Sequence, residues 1–138
     1  MPHQSPDLTL EVNGTPPEIV GRACQGFICE SYTFEGERVA SANVTYLKFG
    51  SGWFRLYFEF RLVFWRPFTD EPKPREVKEE TWAYAHTDVG ALAGVLGQPL
   101  VSYEMLPTLK GSKVVFRFGN GRCVEIEDKD DATSYAVI

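Results

Sequence analysis

The chain writes one pattern twice. Tyr46-Leu-Lys-Phe-Gly-Ser-Gly-Trp-Phe-Arg-Leu-Tyr-Phe-Glu59 returns 69 positions later as Val115-Phe-Arg-Phe-Gly-Asn-Gly-Arg-Cys-Val-Glu-Ile-Glu-Asp128. Both copies read as strand, Phe-Gly-x-Gly turn, strand. Self-similarity at a fixed spacing constrains a whole fold rather than one element. Units of half this length are too small to hold separate cores, so the two are expected to pack as one body. The predicted organisation is a single domain, 1–138. Its internal repeats are approximately 7–66 and 76–138, joined by the Pro-rich loop 67–75.

Local signals fill in each half. Residues 8–12 predict a strand ended by Asn13-Gly14. Thr15-Pro16-Pro17-Glu18 then offers a capping box, with Pro16 preset for the first helical position. That predicts a short helix to about Gln25, terminated by Gly26. Strands are expected at 27–34 and 39–49, separated by Glu35-Gly36. Residues 53–65 predict one long strand. Phe54, Leu56, Phe58, Phe60, Leu62 and Phe64 fill its even positions, which assigns them to a core face. Its odd positions hold Trp53, Arg55, Tyr57, Glu59, Arg61, Val63 and Trp65, a face at least partly open to water or a partner.

The second half predicts a strand at 76–86 and a helix capped by Thr87-Asp88 that runs through Leu96, with Gly97 and Pro99 beyond it. Strands follow at 100–105, 114–118, 123–127 and 134–138. The expected fold class is α+β and sheet-dominated: a strongly bent antiparallel sheet or two packed sheets with two short helices, related by a pseudo-twofold internal duplication.

Composition narrows the function classes. With 43% hydrophobic residues, ten Phe, six Tyr and three Trp, the chain carries enough apolar surface for a packed core. Its net charge of −5 and the lack of a basic cluster argue against a nucleic-acid partner. Cys24, Cys29 and Cys123 are odd in number and lack metal-ligand spacing, so no metal or cofactor is expected. They read as small core residues in a reducing cytoplasm. Met1-Pro-His-Gln-Ser-Pro lacks the charged and apolar regions of a signal peptide. The apolar window 53–65 is too short and too charged to span a bilayer. A cytoplasmic protein with no membrane partner is the expectation.

Catalytic signals are sparse. Only His3 and His86 are present to serve as an imidazole base, and a Cys29–His86 dyad has no supporting motif around it. Gly50-Ser51-Gly52 and Gly119-Asn120-Gly121 each lie between two strands, whereas phosphate-cradling loops join a strand to a helix. Carboxylate pairs such as Glu59 with Glu79 or Glu80 are not selected by their spacing. No enzymatic activity is predicted.

Two features point to binding instead. Glu125, Glu127, Asp128, Asp130 and Asp131 form an acidic run without calcium-loop spacing. They read as a solvated strand end or as a patch that meets a basic surface. Trp53, Tyr57, Trp65, Trp82 and Tyr84, with Arg55, Arg61 and His86, are residue types that anchor interfaces, to be divided between core and recognition surface.

The C-terminal stretch carries a family cadence. Leu92-Ala-Gly-Val-Leu-Gly-Gln-Pro-Leu100, then Val114-Val-Phe-Arg-Phe-Gly-Asn-Gly-Arg-Cys-Val-Glu-Ile126, then Ser134-Tyr-Ala-Val-Ile138 resembles small bacterial domains of unknown function. Several of those look like immunity proteins of polymorphic or contact-dependent toxin systems. Asn120 replaces the usual Asp of their hairpin, and Thr133 stands where Glu would precede Ser-Tyr. The resemblance implies an immunity-type inhibitor of a toxin. The acidic balance, the sparse catalytic inventory and the aromatic face fit a non-enzymatic protein-binding domain, and the acidic run points to a basic toxin domain as its partner. The alternative is a small-ligand-binding or enzymatic domain that uses Arg55, Arg61 or His86 on an acidic ligand in a pocket between sheet and helices.

Overall fold

The computed structural model describes residues 9–50, 52–77 and 82–138, with backbone alone at 75–77 and 82. His3, Ser51, Glu79, Glu80 and the side chain of Trp82 lie outside the described residues.

Two sheets dominate. The larger is built from β1 (Glu11–Asn13), β2 (Gly26–Phe34), β3 (Glu37–Lys48), β4 (Trp53–Glu59), β5 (Leu62–Phe68), β6 (Arg75–Val77), β7 (Trp82–Tyr84) and β8 (His86–Asp88). Its order is β1-β5-β4-β3-β2-β7-β6, with β8 also paired to β2. Helix α1 (Val89–Ala93) then leads to β9 (Leu100–Thr108), β10 (Gly111–Phe118), β11 (Cys123–Lys129) and β12 (Ala132–Val137). These last four form the smaller sheet, ordered β12-β11-β10-β9. Among the described residues every strand pairing is antiparallel except β1 with β5.

The sheets bury one face of each against the other. Phe27 of β2 meets Phe116 of β10 edge to face at 5.3 Å. Trp65 of β5 packs on Tyr103 of β9 at 5.7 Å and donates its indole N–H to Met105 Sδ. Leu47, Leu56, Val63, Val114, Val124 and Ile126 complete the layer between them. At one corner β12 lies beside β3, where the Tyr135 backbone N–H donates to Ser41 Oγ.

The α+β expectation is corrected here, because the described residues hold one helix of five residues rather than two. Residues 15–25 are not helical. A proline disfavours helical geometry at the residue before it, so Pro17 works against helix at Pro16. Gly21 adopts φ +88°, which breaks any continuation. The backbone groups beyond it are taken by another segment: Gly21 N bonds Leu100 O, Cys24 N bonds Gln98 O, and Leu100 N bonds Arg22 O. Helix α1 starts as expected, with Asp88 accepting from the Ala91 N–H. It stops at Ala93 rather than Leu96, because Gly94 takes the left-handed conformation and closes it.

The long strand 53–65 is also two strands. Glu59 pairs with Leu62 around a turn at Phe60 and Arg61. In such a hairpin, facing residues have opposite parity, so the core face is even-numbered in β4 and odd-numbered in β5. Leu56 is accordingly paired with Trp65, and both are buried. Phe54 and Phe58 do pack against the core, while Phe60 at the turn is 54% exposed. The pairing of β4 with β3 through the Gly50–Gly52 region is as expected.

Residues 76–86 are likewise not one strand, since β6 pairs antiparallel with β7. The linker is shorter than 67–75 because β5 continues to Phe68. Pro67 is tolerated there: β1 pairs β5 only at Leu62, Val63 and Phe64, so the N–H that proline lacks faces no strand.

Each sheet contains a four-stranded meander in the same order, β5-β4-β3-β2 and β12-β11-β10-β9. Among the described residues no helix is long and apolar enough to cross a membrane.

Candidate functional site

The outer face of the larger sheet gathers the chemistry. Its composition follows from the alternation of β4: Leu56 points inward, so Trp53, Arg55 and Tyr57 point outward. Register carries the pattern across neighbouring strands. Arg55 lies between Tyr46 of β3 and Arg66 of β5, Trp53 between Lys48 and Phe68, and Tyr57 opposite Phe64.

These side chains stack as a ladder. Tyr57 and Phe64 lie parallel, 4.8 Å apart. The Arg55 guanidinium sits 5.9 Å from the Tyr57 ring and 5.5 Å from Phe68. Arg66 lies 5.6 Å from Phe64, and the Lys48 ammonium 5.8 Å from Trp53. Such contacts contribute roughly 0.5–1 kcal/mol each at exposed sites. Trp53 reaches across β3 to β2, where Gly26 makes room; a Cβ there would stand 2.5 Å from the indole.

Beside the ladder is an open cleft of about 920 Å³, lined by Glu30, Tyr46, Arg55, Phe68, Asp70, Glu71, Lys73 and Pro74. Glu30 is 2% exposed, and its carboxylate meets His86 Nε2 at 3.0 Å. The His86 ring packs on Tyr46 at 5.8 Å, and Tyr46 on Phe68 at 5.2 Å. A buried carboxylate is tolerable only with a partner, and β8 supplies one by pairing His86 directly with Glu30.

The Cys29–His86 dyad does not form. Adjacent strand residues face opposite sides, so Cys29 points into the core while Glu30 and His86 share the outer face. Burial pushes the Cys29 thiol up to about 12, and its sulfur lies near Thr45 Oγ1. The Cys24 thiol is likewise raised by burial, to about 11. Among the described residues no three His, Cys, Asp or Glu side chains come together as a metal site.

The other candidates scatter. Trp65 belongs to the core, at 1% exposure, and not to an open face. Tyr84 packs on Tyr32 at 5.4 Å. The acidic run is split: Asp128 is buried on the inner face of β11, whereas Asp130 and Asp131 form the β11–β12 turn. Neither end of that run shares a sheet with the ladder. Asp130 and Asp131 take positive φ of 51° and 66°, a conformation Asp tolerates better than most residues.

Arg61 works as a clamp. It holds φ 52° in the β4–β5 turn, and its Nε and Nη2 donate to Thr108 O and Leu109 O of the smaller sheet. Arg61→Ala is expected to lower stability by about 1–3 kcal/mol in urea unfolding, through loss of charge-assisted hydrogen bonds. It should leave the outer-face ladder intact, visible as unchanged NMR shifts for Tyr57 and Phe64. A change below a few tenths of a kcal/mol would remove the clamp.

Glu30, Tyr46, Lys48, Phe64, Arg66 and Phe68 were not foreseen. Glu30 carried a usable signal: a lone carboxylate inside the strand Gly26–Phe34, between Cys29 and Ser31. Arg66 and Phe68 were hidden by the break in the supposed long strand.

Compared with known proteins, the chain matches no family model, no curated protein and no solved structure.

Proposed function

We propose that this chain is a non-enzymatic binding protein that recognises another protein through the outer face of β3, β4 and β5. The observation that carries this reading is the ladder of part-exposed Trp53, Arg55, Tyr57, Phe64, Arg66 and Phe68 on the face turned away from the core. Aromatic residues and arginine dominate binding hot spots, and a rigid sheet presents them with little ordering cost on association. The separation of Cys29 from His86 supports a binder over a thiol catalyst.

An immunity-type role, occluding a toxin domain, is the particular form that the C-terminal cadence suggests. The test is co-expression with a protein encoded beside it, followed by hydrogen exchange on any complex. Protection is expected on β3–β5, and Tyr57→Ala should raise the off-rate by about tenfold or more while the on-rate stays nearly constant. Protection confined to the smaller sheet would defeat the proposal. A second reading, a small-ligand site, is favoured by the cleft over the Glu30–His86 pair. It predicts a footprint restricted to that cleft.

A further inference from the structure

The two outer faces of the molecule treat their cations differently. On the smaller sheet, Arg117 pairs with Glu104 at 2.7 Å and Lys113 with Glu125 at 3.6 Å. On the larger sheet, Lys48, Arg55 and Arg66 enter none of the ion pairs among the described residues. Arg55 and Arg66 stand directly opposite each other across β4 and β5. Like charges in that relation oppose strand pairing. The Arg55 Nε is buried without a hydrogen-bond partner. Arg66 is held back by the Asn13 carbonyl and side chain and by Trp65 O, which anchors it without neutralising it. Three uncompensated cations on one face are unexpected in a chain with 19 acidic and 14 basic residues.

We infer that this strip receives the carboxylates of an acidic segment of the partner protein. The inference rests on the reading of the ladder as the recognition face, and it replaces a basic partner with an acidic one. The cations lie on three consecutive strands. Arg55 and Arg66 are directly opposite, about 5 Å apart, and Lys48, opposite Trp53, is one diagonal step from Arg55, about 7–8 Å away. Those separations suit successive side chains of a peptide better than one small oxyanion. Nucleic acid fits less well. Its affinity grows with the number of phosphates neutralised, and three cations in an acidic chain supply few. Single-stranded binding also needs free ring faces for bases, whereas Tyr57 and Phe64 already stack on each other. Glu30 is buried against His86, while Asp70 and Glu71 line the same cleft as Arg55, so the segment is expected to approach Arg55 from the β5 side rather than through that cleft.

The experiment is a low-salt titration of the intact chain with a short polyglutamate peptide. Polyglutamine, polylysine, inorganic phosphate and oligothymidylate run in parallel. Polyglutamate is expected to bind and to weaken steeply with salt. Arg55→Gln should reduce binding about tenfold or more, Lys48→Gln less, and Arg117→Gln on the other sheet not at all. Circular dichroism confirms that each variant is folded. The inference fails if polyglutamate does not bind, if Arg55→Gln binds it equally, or if polylysine, phosphate or oligothymidylate binds more tightly. Should polyglutamate fail while Tyr57→Ala still weakens a protein complex, the recognition face stands and only the acidic partner is lost.

Discussion

Trp65→Ala is expected to lower the unfolding free energy by about 3–5 kcal/mol, the cost of deleting a large aromatic from a packed core. The indole is 1% exposed, lies against Tyr103, and donates its N–H to Met105 Sδ. It joins the two sheets, so its loss opens a cavity in the layer that holds them together. Against a typical domain stability of about 5–15 kcal/mol, that loss leaves little margin. Tyr57→Ala, on the opposite face of the same hairpin, should cost far less stability and act mainly on binding. Guanidinium unfolding of both variants separates the roles. If Trp65→Ala costs less than Tyr57→Ala, the inward face of β5 has been assigned wrongly.

That contrast also shows what the sequence reveals. Alternation in β4 is legible, since Leu56 goes inward while Arg55 and Tyr57 go outward. The inversion of phase after Glu59 is not. Turns usually advertise themselves with Gly, Asn, Asp or Pro, and here the turn residues are Phe60 and Arg61. Arg61 accepts a left-handed backbone because Thr108 O and Leu109 O bind its guanidinium. The compensation comes from the other sheet, beyond the reach of a local pattern.

The repeat shows the same limit. Four residues, 49–52, separate the facing pair Lys48 and Trp53, whereas five, 118–122, separate Arg117 and Cys123. The structural offset is therefore 69 before the turn, where Leu47 matches Phe116, and 70 after it, where Phe54 matches Val124. A strict spacing of 69 puts the outward Glu125 in the place of the buried Leu56. The helix expected at 15–25 failed for a third reason: its caps were present, but the backbone of 98–100 competed for its hydrogen bonds.

Asp128 was legible and misread. Counting by twos from Val124 and Ile126, both buried, lands on Asp128, so alternation already pointed it inward. The run of neighbouring charges suggested a solvated patch instead. In the structure its Oδ1 accepts from Thr133 Oγ1 at 3.2 Å, and its Oδ2 has no partner. Ser112 stands opposite on β10, also buried, with its own hydroxyl unpartnered. Burial raises the Asp128 pKa; the Thr133 hydrogen bond opposes this, and Asp131 and Asp130 add to the rise.

A carboxyl whose folded pKa lies above its unfolded value binds its proton more tightly in the folded state. Stability is then greatest below the unfolded value, about 3.9, and falls as pH rises through the folded one. Asp128→Asn cannot ionise, and its amide can donate to the Ser112 hydroxyl while its oxygen still accepts from Thr133. The variant should therefore lose the pH dependence contributed by this site. Near neutral pH it should gain about 1–3 kcal/mol, the cost of an unsatisfied buried acceptor. Thr133→Val removes the hydroxyl bonded to the carboxylate and should move neutral-pH stability the other way. Urea midpoints for the three proteins from acidic to neutral pH decide the matter. A less stable Asp128→Asn at neutral pH would mean that the carboxylate is needed charged, and the inner end of β11 would have to be reconsidered as a site.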